Sequence, residues 1–192
     1  YDDYNNNKNN WKEIHNENLV ADVHEGSYYL SVLQDHNTFQ SNLSLPKPVK
    51  GNFIISTVIL KQSGLDNKGY GLVIGNKETQ QSVAFLINGW GSYSVRMQGS
   101  QNQWKKNPAI ARYNAANLLR ILRFDDQLKF YINDSLVCEQ KTDVFPLDFA
   151  GFFVEPGLGV CAENIRIQSA PAANQCISGN CENGFGVFVY KD

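Results

Sequence analysis

No run of this sequence approaches the roughly 20 consecutive apolar residues that a membrane-spanning helix requires. The longest, such as Phe53-Ile54-Ile55 and Phe152-Phe153-Val154, are of strand size. A signal-peptide core is missing too. Because the chain opens at Tyr1 and Met97 is its single methionine, the N-terminus is expected to be a processed or trimmed one. Charge of one sign is scarce: the formal net charge is -2 and the pI about 5.9. That balance gives no long-range attraction for nucleic acid or an anionic membrane. The basic residues are scattered, with Lys105-Lys106 the one adjacent pair, which makes no patch for a nucleic-acid partner. The three-and-four spacing of amphipathic helices is absent at any useful length, which disfavours a βαβ fold and its phosphate-binding turns. Gly69-Tyr70-Gly71-Leu72-Val73-Ile74-Gly75 lacks the GxGxxG and GxxxxGK spacings. It reads instead as strand glycines that permit close packing or bulges.

Groupings that carry nucleophilic or metal chemistry are also missing. His15, His24 and His36 all fall in the first fifth of the chain, and no GxSxG elbow occurs, so a Ser/His/acid triad has no support. His15 and His24 with Glu17 or Asp22 match no recurrent zinc spacing and are expected as exposed strand-end residues. Of the four cysteines, Cys138 and Cys161 lie in apolar strand patterns, where a free thiol behaves as a small hydrophobe. Cys176 and Cys181 bracket a short turn that a disulfide could close. A zinc site there would need further ligands.

What is present is alternation with a period of two. Val83, Phe85 and Ile87 share one face, as do Tyr93, Val95 and Met97, while Phe53 to Leu60 is apolar on both faces, as in a central strand. The segment Asn117 to Gln140 carries the strongest local signal. Leu118 to Phe124 reads as a strand, Asp125-Asp126 as a turn, Leu128, Phe130 and Ile132 as one strand face, and Asn133-Asp134 as a second turn into Ser135-Leu136-Val137-Cys138. Strands joined by Asx pairs make a β-meander. The Ala and Leu content of Asn114 to Arg123 also allows a helix, but the tight turns beyond it favour a hairpin. With further strands at 19–23, 28–33, 70–75, 149–154 and 160–168, about a dozen short strands are expected, at the spacing of a sandwich or barrel. The 192 residues suit one such domain. Alternation stops at the small-residue, proline-containing 169–175, which reads as a linker. The remaining 176–192 is too short to hold a core of its own.

The order of motifs is familiar. Asn5 and Trp11 are followed by Gly26-Ser27-Tyr28, Asn52-Phe53-Ile54-Ile55, the Gly69–Gly75 run, Phe85-Leu86-Ile87 and Gly91-Ser92-Tyr93-Ser94-Val95. Trp104, Asn117-Leu118-Leu119-Arg120-Ile121, Phe130-Tyr131-Ile132-Asn133 and Gly151-Phe152-Phe153-Val154 complete it. In this order residues 1–168 resemble bacterial extracellular-type domains of the concanavalin A-like lectin/glucanase and laminin G-like superfamily. The resemblance implies an all-β fold, a two-sheet antiparallel β-sandwich of the jelly-roll kind, with a short C-terminal β-hairpin. It leaves the ligand open. Separately, Asn183-Gly184-Phe185-Gly186 and the strand to Tyr190 look like the start of a MORN-repeat array. Repeat units need neighbours, so further MORN-like repeats are expected downstream in a longer protein.

That resemblance directs attention to two kinds of site. Glycan hydrolases of this fold place two or three acids on one strand in a Glu-x-Asp-x-x-Glu pattern, and no such triplet occurs. Relatives often bind calcium through loop oxygens, which makes Asp2, Asp3 and Asn5 candidate ligands. The alternative for these three is a cluster of Asx turns that fixes the first strand. For ligand binding, Asn88, Trp90, Tyr93, Arg96 and Trp104 are the candidates, because aromatics in glycine-rich or polar loops can stack on sugar rings. Both tryptophans could equally fold back over the sandwich end. The expectation is a noncatalytic binding module for a glycan or a protein surface, in an extracellular, periplasmic or cell-surface protein. The alternatives are a spacer packed on a repeat array, or a glycan hydrolase with an atypical site. No cofactor other than calcium is implied.

Overall fold

The computed structural model describes residues 1–33, 37–97, 103–141 and 146–169, together with the backbone of 176–179 and 186–188. Among these, every regular element is a β-strand, so no helix there is long and apolar enough to cross a membrane. One sheet has eight strands, in the spatial order β1 (Ile14–His15), β2 (Leu19–His24), β3 (Ser27–Val32), β14 (Leu158–Ser169), β5 (Phe53–Gly64), β10 (Asn117–Phe124), β11 (Gln127–Ile132) and β12 (Ser135–Lys141). The second has six, in the order β4 (Phe39–Val49), β13 (Leu147–Val154), β6 (Tyr70–Asn76), β7 (Gln81–Ile87), β8 (Ser92–Met97) and β9 (Lys105–Lys106). A separate hairpin joins β15 (Cys176–Gly179) to β16 (Gly186–Phe188). All pairings are antiparallel, and the two large sheets stack as a jelly-roll sandwich.

The meander forms where the Asx pairs stand. Asn133 and Asp134 both take positive φ, at 47° and 65°, which is the geometry of the tight hairpin turn that Asn and Asp tolerate best. Asn133 also braces the neighbouring loop: its Oδ1 accepts the Leu118 N–H at 2.8 Å, and its Nδ2 donates to Ala109 O at 2.8 Å. On β11, Leu128, Phe130 and Ile132 are fully buried while Lys129 and Tyr131 are not, as strand alternation requires. Phe130 meets Phe85 of the facing sheet, with ring centroids 5.1 Å apart. Each such buried side chain contributes on the order of 1.5–3 kcal/mol by leaving water.

Besides the two-residue β1 and β9, one long strand has no counterpart in the sequence-based expectation. β4 contains Pro46 and Pro48 between polar residues, a composition that argues against a central strand. It forms because it is the edge strand of its sheet, pairing only with β13. The N-terminal Asn-rich segment is also ordered against the core. Tyr4 and Trp11 are buried beside Tyr28 and Phe152, with ring centroids 4.9–6.0 Å apart. This aromatic cluster closes one side of the sandwich.

Candidate ligand-binding face

Alternation along β8 divides its side chains between two environments. Tyr93, Val95 and Met97 turn into the core, and Ser94 and Arg96 onto the outer face of the six-stranded sheet. That outer face carries its own apolar cluster, separate from the core: Val73 of β6, Ala84 and Leu86 of β7, and Phe149 and Phe153 of β13, with Trp104 laid against them. Trp104 reaches far across the sheet. A Cβ on Gly69, the residue before β6, would lie 2.9 Å from its Cη2, so only glycine admits the ring there.

Arg96, on the penultimate strand β8, lies against two rings of this cluster. Its guanidinium carbon is 5.5 Å from the ring centroids of both Trp104 and Phe153, a cation–π arrangement strengthened by partial burial. Its Nη2 donates to Glu155 Oε1 at 2.6 Å, and Glu155 Oε2 accepts the Gly69 N–H at 2.7 Å. The carboxylate is thus held by one charged and one backbone donor, and the pair is electrically neutral as a unit. Two polar atoms here are buried without a hydrogen-bond partner among the described residues: Arg96 Nε and Ser94 Oγ. Buried polar atoms are rarely left so. These two sit two residues apart on one strand face, and Arg96 lies beside the Trp104 ring.

The five candidate residues separate. Arg96 and Trp104 come together. Tyr93 does not join them; it is a core residue whose hydroxyl donates to Val137 O at 2.7 Å, and burial raises its pKa. Asn88 is buried in the β7–β8 turn, where its Oδ1 accepts the Ser92 N–H at 3.0 Å. Its role is to close that turn. Trp90 stands at the tip of the same turn, 54% exposed. Phe153, Glu155 and Ser94 were not anticipated. The β8 alternation places Ser94 with Arg96, but nothing local joins β13 to this face.

At the N-terminal corner, Asp2 is 1% exposed. Its Oδ1 accepts the Tyr4 N–H at 3.0 Å, and its Oδ2 accepts from Asn9 Nδ2 at 2.5 Å and Trp11 Nε1 at 2.8 Å. Asp3 Oδ1 accepts the Asn5 N–H at 3.4 Å, and that hydrogen bond lowers the Asp3 pKa. The bonds to the Tyr4 and Asn5 N–H groups, two residues on, are those of Asx turns, while Asp2 Oδ2 joins Asn9 and Trp11 through their side chains. His15 and His24 are exposed and lie 3.5 Å and 3.4 Å from Asp22 and Glu25. Among the described residues no three His, Cys, Asp or Glu side chains gather as metal ligands. Cys138 and Cys161 are free thiols, and burial raises the Cys138 pKa. Cys176 is described in its backbone only, and Cys181 and His36 lie outside the described residues.

The architecture defines the class: an all-β, antiparallel two-sheet sandwich with an aromatic and charged cluster on the outer face of one sheet. No protein-family model matches the chain, and neither does any curated protein sequence. Solved structures do match. A sialidase superposes with a TM-score of 0.64 at 11% identity over 83% of this chain, which spans 17% of that one. A Bacillus subtilis protein of unknown function with a galectin-like fold gives 0.58 at 10% identity, covering 79% of this chain and 86% of its own. The carbohydrate-binding module CBM66 from Bacillus subtilis gives 0.50 at 15% identity, covering 83% and 91%. At such identities the likeness establishes the fold.

Proposed function

We propose that this chain is a noncatalytic glycan-binding module whose ligand lies on the outer face of the six-stranded sheet, over Trp104 and Arg96. The observation that carries this reading is the outer-face cluster in which Arg96 lies over the Trp104 and Phe153 rings, with Arg96 Nε unpartnered among the described residues. Sugars present apolar C–H patches to aromatic faces and hydroxyls to polar groups, and a guanidinium laid over aromatic rings suits both. The neutral Arg96–Glu155 unit fits an uncharged sugar hydroxyl better than a strongly charged group. That sandwich neighbours include a carbohydrate-binding module and a galectin-like fold agrees with the reading. Two-carboxylate hydrolysis needs acids about 5–9.5 Å apart across the bond. Among the described residues Glu155 is the one acid held in this cluster, and its oxygens are engaged by Arg96 and Gly69, which favours binding over hydrolysis.

A glycan-array screen of the wild type beside Arg96→Lys tests the reading. Lysine keeps the charge but loses Nε and the planar stack, so binding to the selected glycan should fall at least tenfold. An array on which the wild type binds no glycan sinks the proposal. An extracellular or cell-envelope location follows from the same reading, because glycan ligands of such modules are presented there. The MORN-like segment and the Cys176–Cys181 disulfide remain part of this proposal, as does the view that 169–175 links the sandwich to a repeat array.

A further inference from the structure

Six large apolar side chains are exposed among the described residues, and four of them, Leu33, Leu65, Trp90 and Tyr113, stand on loops at one end of the sandwich. Hydrogen bonds stitch these loops together. Leu65 N–H donates to Gly157 O at 3.4 Å, and Gly157 N–H to Val32 O at 2.9 Å, next to Leu33. Trp90 N–H donates to Asp66 O at 3.2 Å, and Tyr113 N–H to Gly89 O at 3.0 Å. Gly91, at φ 77°, lets the turn place Trp90 at its tip. Beneath, Lys61 is buried and ties the loop down through Asp66 at 2.8 Å and Gly64 O at 3.0 Å. The exposed side chains are therefore presented on an ordered end, 45–61% exposed each, with no core of their own.

Charge at this end opposes the charge of the whole. Around Leu65, Trp90 and Tyr113 lie Lys68, Lys106 and Arg112; Lys106 Nζ donates to Trp90 O at 2.7 Å, and Arg112 lies against Gly91. Asp66 within this group is paired with Lys61, and Asp134 on the adjoining β11–β12 turn, 71% exposed, is paired with Arg120. Glu17 stands on the Leu33 side, next to Asn18, whose carbonyl accepts the Leu33 N–H. The chain's formal net charge is -2, so among the described residues the unpaired cations Lys68, Lys106 and Arg112 beside exposed Trp, Tyr and Leu set this end apart. The far end of β14 is where Ser169 pairs with Phe53 and where Asp2 bridges Ile165, whereas Leu158 pairs with Gly64 near the apolar loops. Neither the first residues nor Ser169 covers this surface.

From these facts we infer that this end docks on an anionic lipid bilayer surface. Separate aromatic and aliphatic side chains on loop tips insert singly into the headgroup–acyl boundary, where Trp and Tyr are favoured. Flanking Lys and Arg attract anionic headgroups. Here the apolar groups stand singly on four different loops among glycines and polar residues, with cations between them, as interfacial insertion beside anionic headgroups requires. The site is distinct from the glycan face and does not depend on it.

The test is co-sedimentation of the whole chain with phosphatidylcholine vesicles and with vesicles containing roughly one-third phosphatidylglycerol. The wild type should pellet with the anionic vesicles, less so as salt rises, and its tryptophan emission should shift to the blue. Trp90 supplies that shift, because Trp11 is 3% exposed and Trp104 lies against the outer-face cluster. The double variant Trp90→Ala/Tyr113→Ala should bind at least tenfold more weakly, and Arg112→Gln about fivefold. Both changes are on exposed loops, and an unaltered melting temperature would show the variants folded. Absence of wild-type binding to either vesicle overturns the inference and would leave this end to a protein partner. Equal binding by the double variant overturns it as well. Neither result bears on glycan binding at Trp104.

Discussion

Replacing Asp2 with alanine should destabilise the whole sandwich, although the residue is second in the chain. The carboxylate accepts three N–H donors, and two of them, Trp11 Nε1 and the Tyr4 backbone N–H, belong to residues 3% and 0% exposed. Removing the acceptor strands both donors away from water, at about 1–3 kcal/mol each, or about 4 kcal/mol together. For a domain of this size each kcal/mol lowers Tm by roughly 2–4 °C, so Asp2→Ala should melt about 12 °C lower. Asp2→Asn keeps the shape and one acceptor oxygen and should lose about half as much. The backbone bridge of Asp2 to Ile165 survives in both variants, so the effect isolates the side chain. Thermal unfolding followed by circular dichroism and by Trp11 fluorescence reads it. A Tm within about 2 °C of wild type for Asp2→Ala would refute the claim that this carboxylate holds the N-terminal segment on the aromatic cluster.

Three further outcomes follow. Burial pushes the Tyr28 phenol from 10.0 up to about 12, and burial raises Tyr4 and Tyr70 as well. A raised phenol favours the protonated folded state, so this stabilisation is complete below pH 10 and is lost as pH rises through 12; Tyr28 alone contributes about 3 kcal/mol. Phenolate absorbance and denaturant midpoints measured together should move in concert, and titration near pH 10 with unchanged midpoints would contradict this. Gly151→Ala would place a Cβ 1.9 Å from Ser41 O, and forcing β4 off β13 should cost about 3 kcal/mol; an unchanged urea midpoint would count against that pairing. Calcium at the N-terminal corner is proposed to add nothing, since the Asp2 oxygens already receive N–H donors; a melting temperature several degrees higher in calcium than in EDTA would restore the calcium reading.

Much of the fold was legible because its signals are local. Alternation at Leu128, Phe130 and Ile132 and the Asx pairs around them specify strands and turns without reference to distant residues, and β10 to β12 lie where those signals put them. β4 was not legible, since its prolines and polar residues look like loop until one knows that it occupies an edge. The binding face was half legible. Trp104 and Arg96 could be singled out by residue type, but Tyr93 was grouped with them although its own alternation with Val95 and Met97 sends it inward. Phe153 of β13 and Glu155 just after it, 59 residues beyond Arg96, come from the far part of the chain. Their approach is a product of the β8-β7-β6-β13 order, which no local pattern encodes. Asp2 was read in the sequence as either a cation ligand or a turn former; its Oδ1 accepts the Tyr4 N–H as in a turn, and its bonds to Asn9 and Trp11 come from side chains that no local pattern pairs with it.

The glycan-binding claim is tested most directly by calorimetry with a glycan selected on the array, using wild type, Trp104→Ala and Trp90→Ala. Trp104 forms the stacking surface beside Arg96 on the outer face, whereas Trp90 stands on the end turn beside Asp66. Loss of one sugar-stacking ring should cost on the order of tenfold or more in Kd. The expected result is weakened or abolished binding in Trp104→Ala and wild-type affinity in Trp90→Ala. Wild-type affinity in Trp104→Ala, or loss confined to Trp90→Ala, would contradict it.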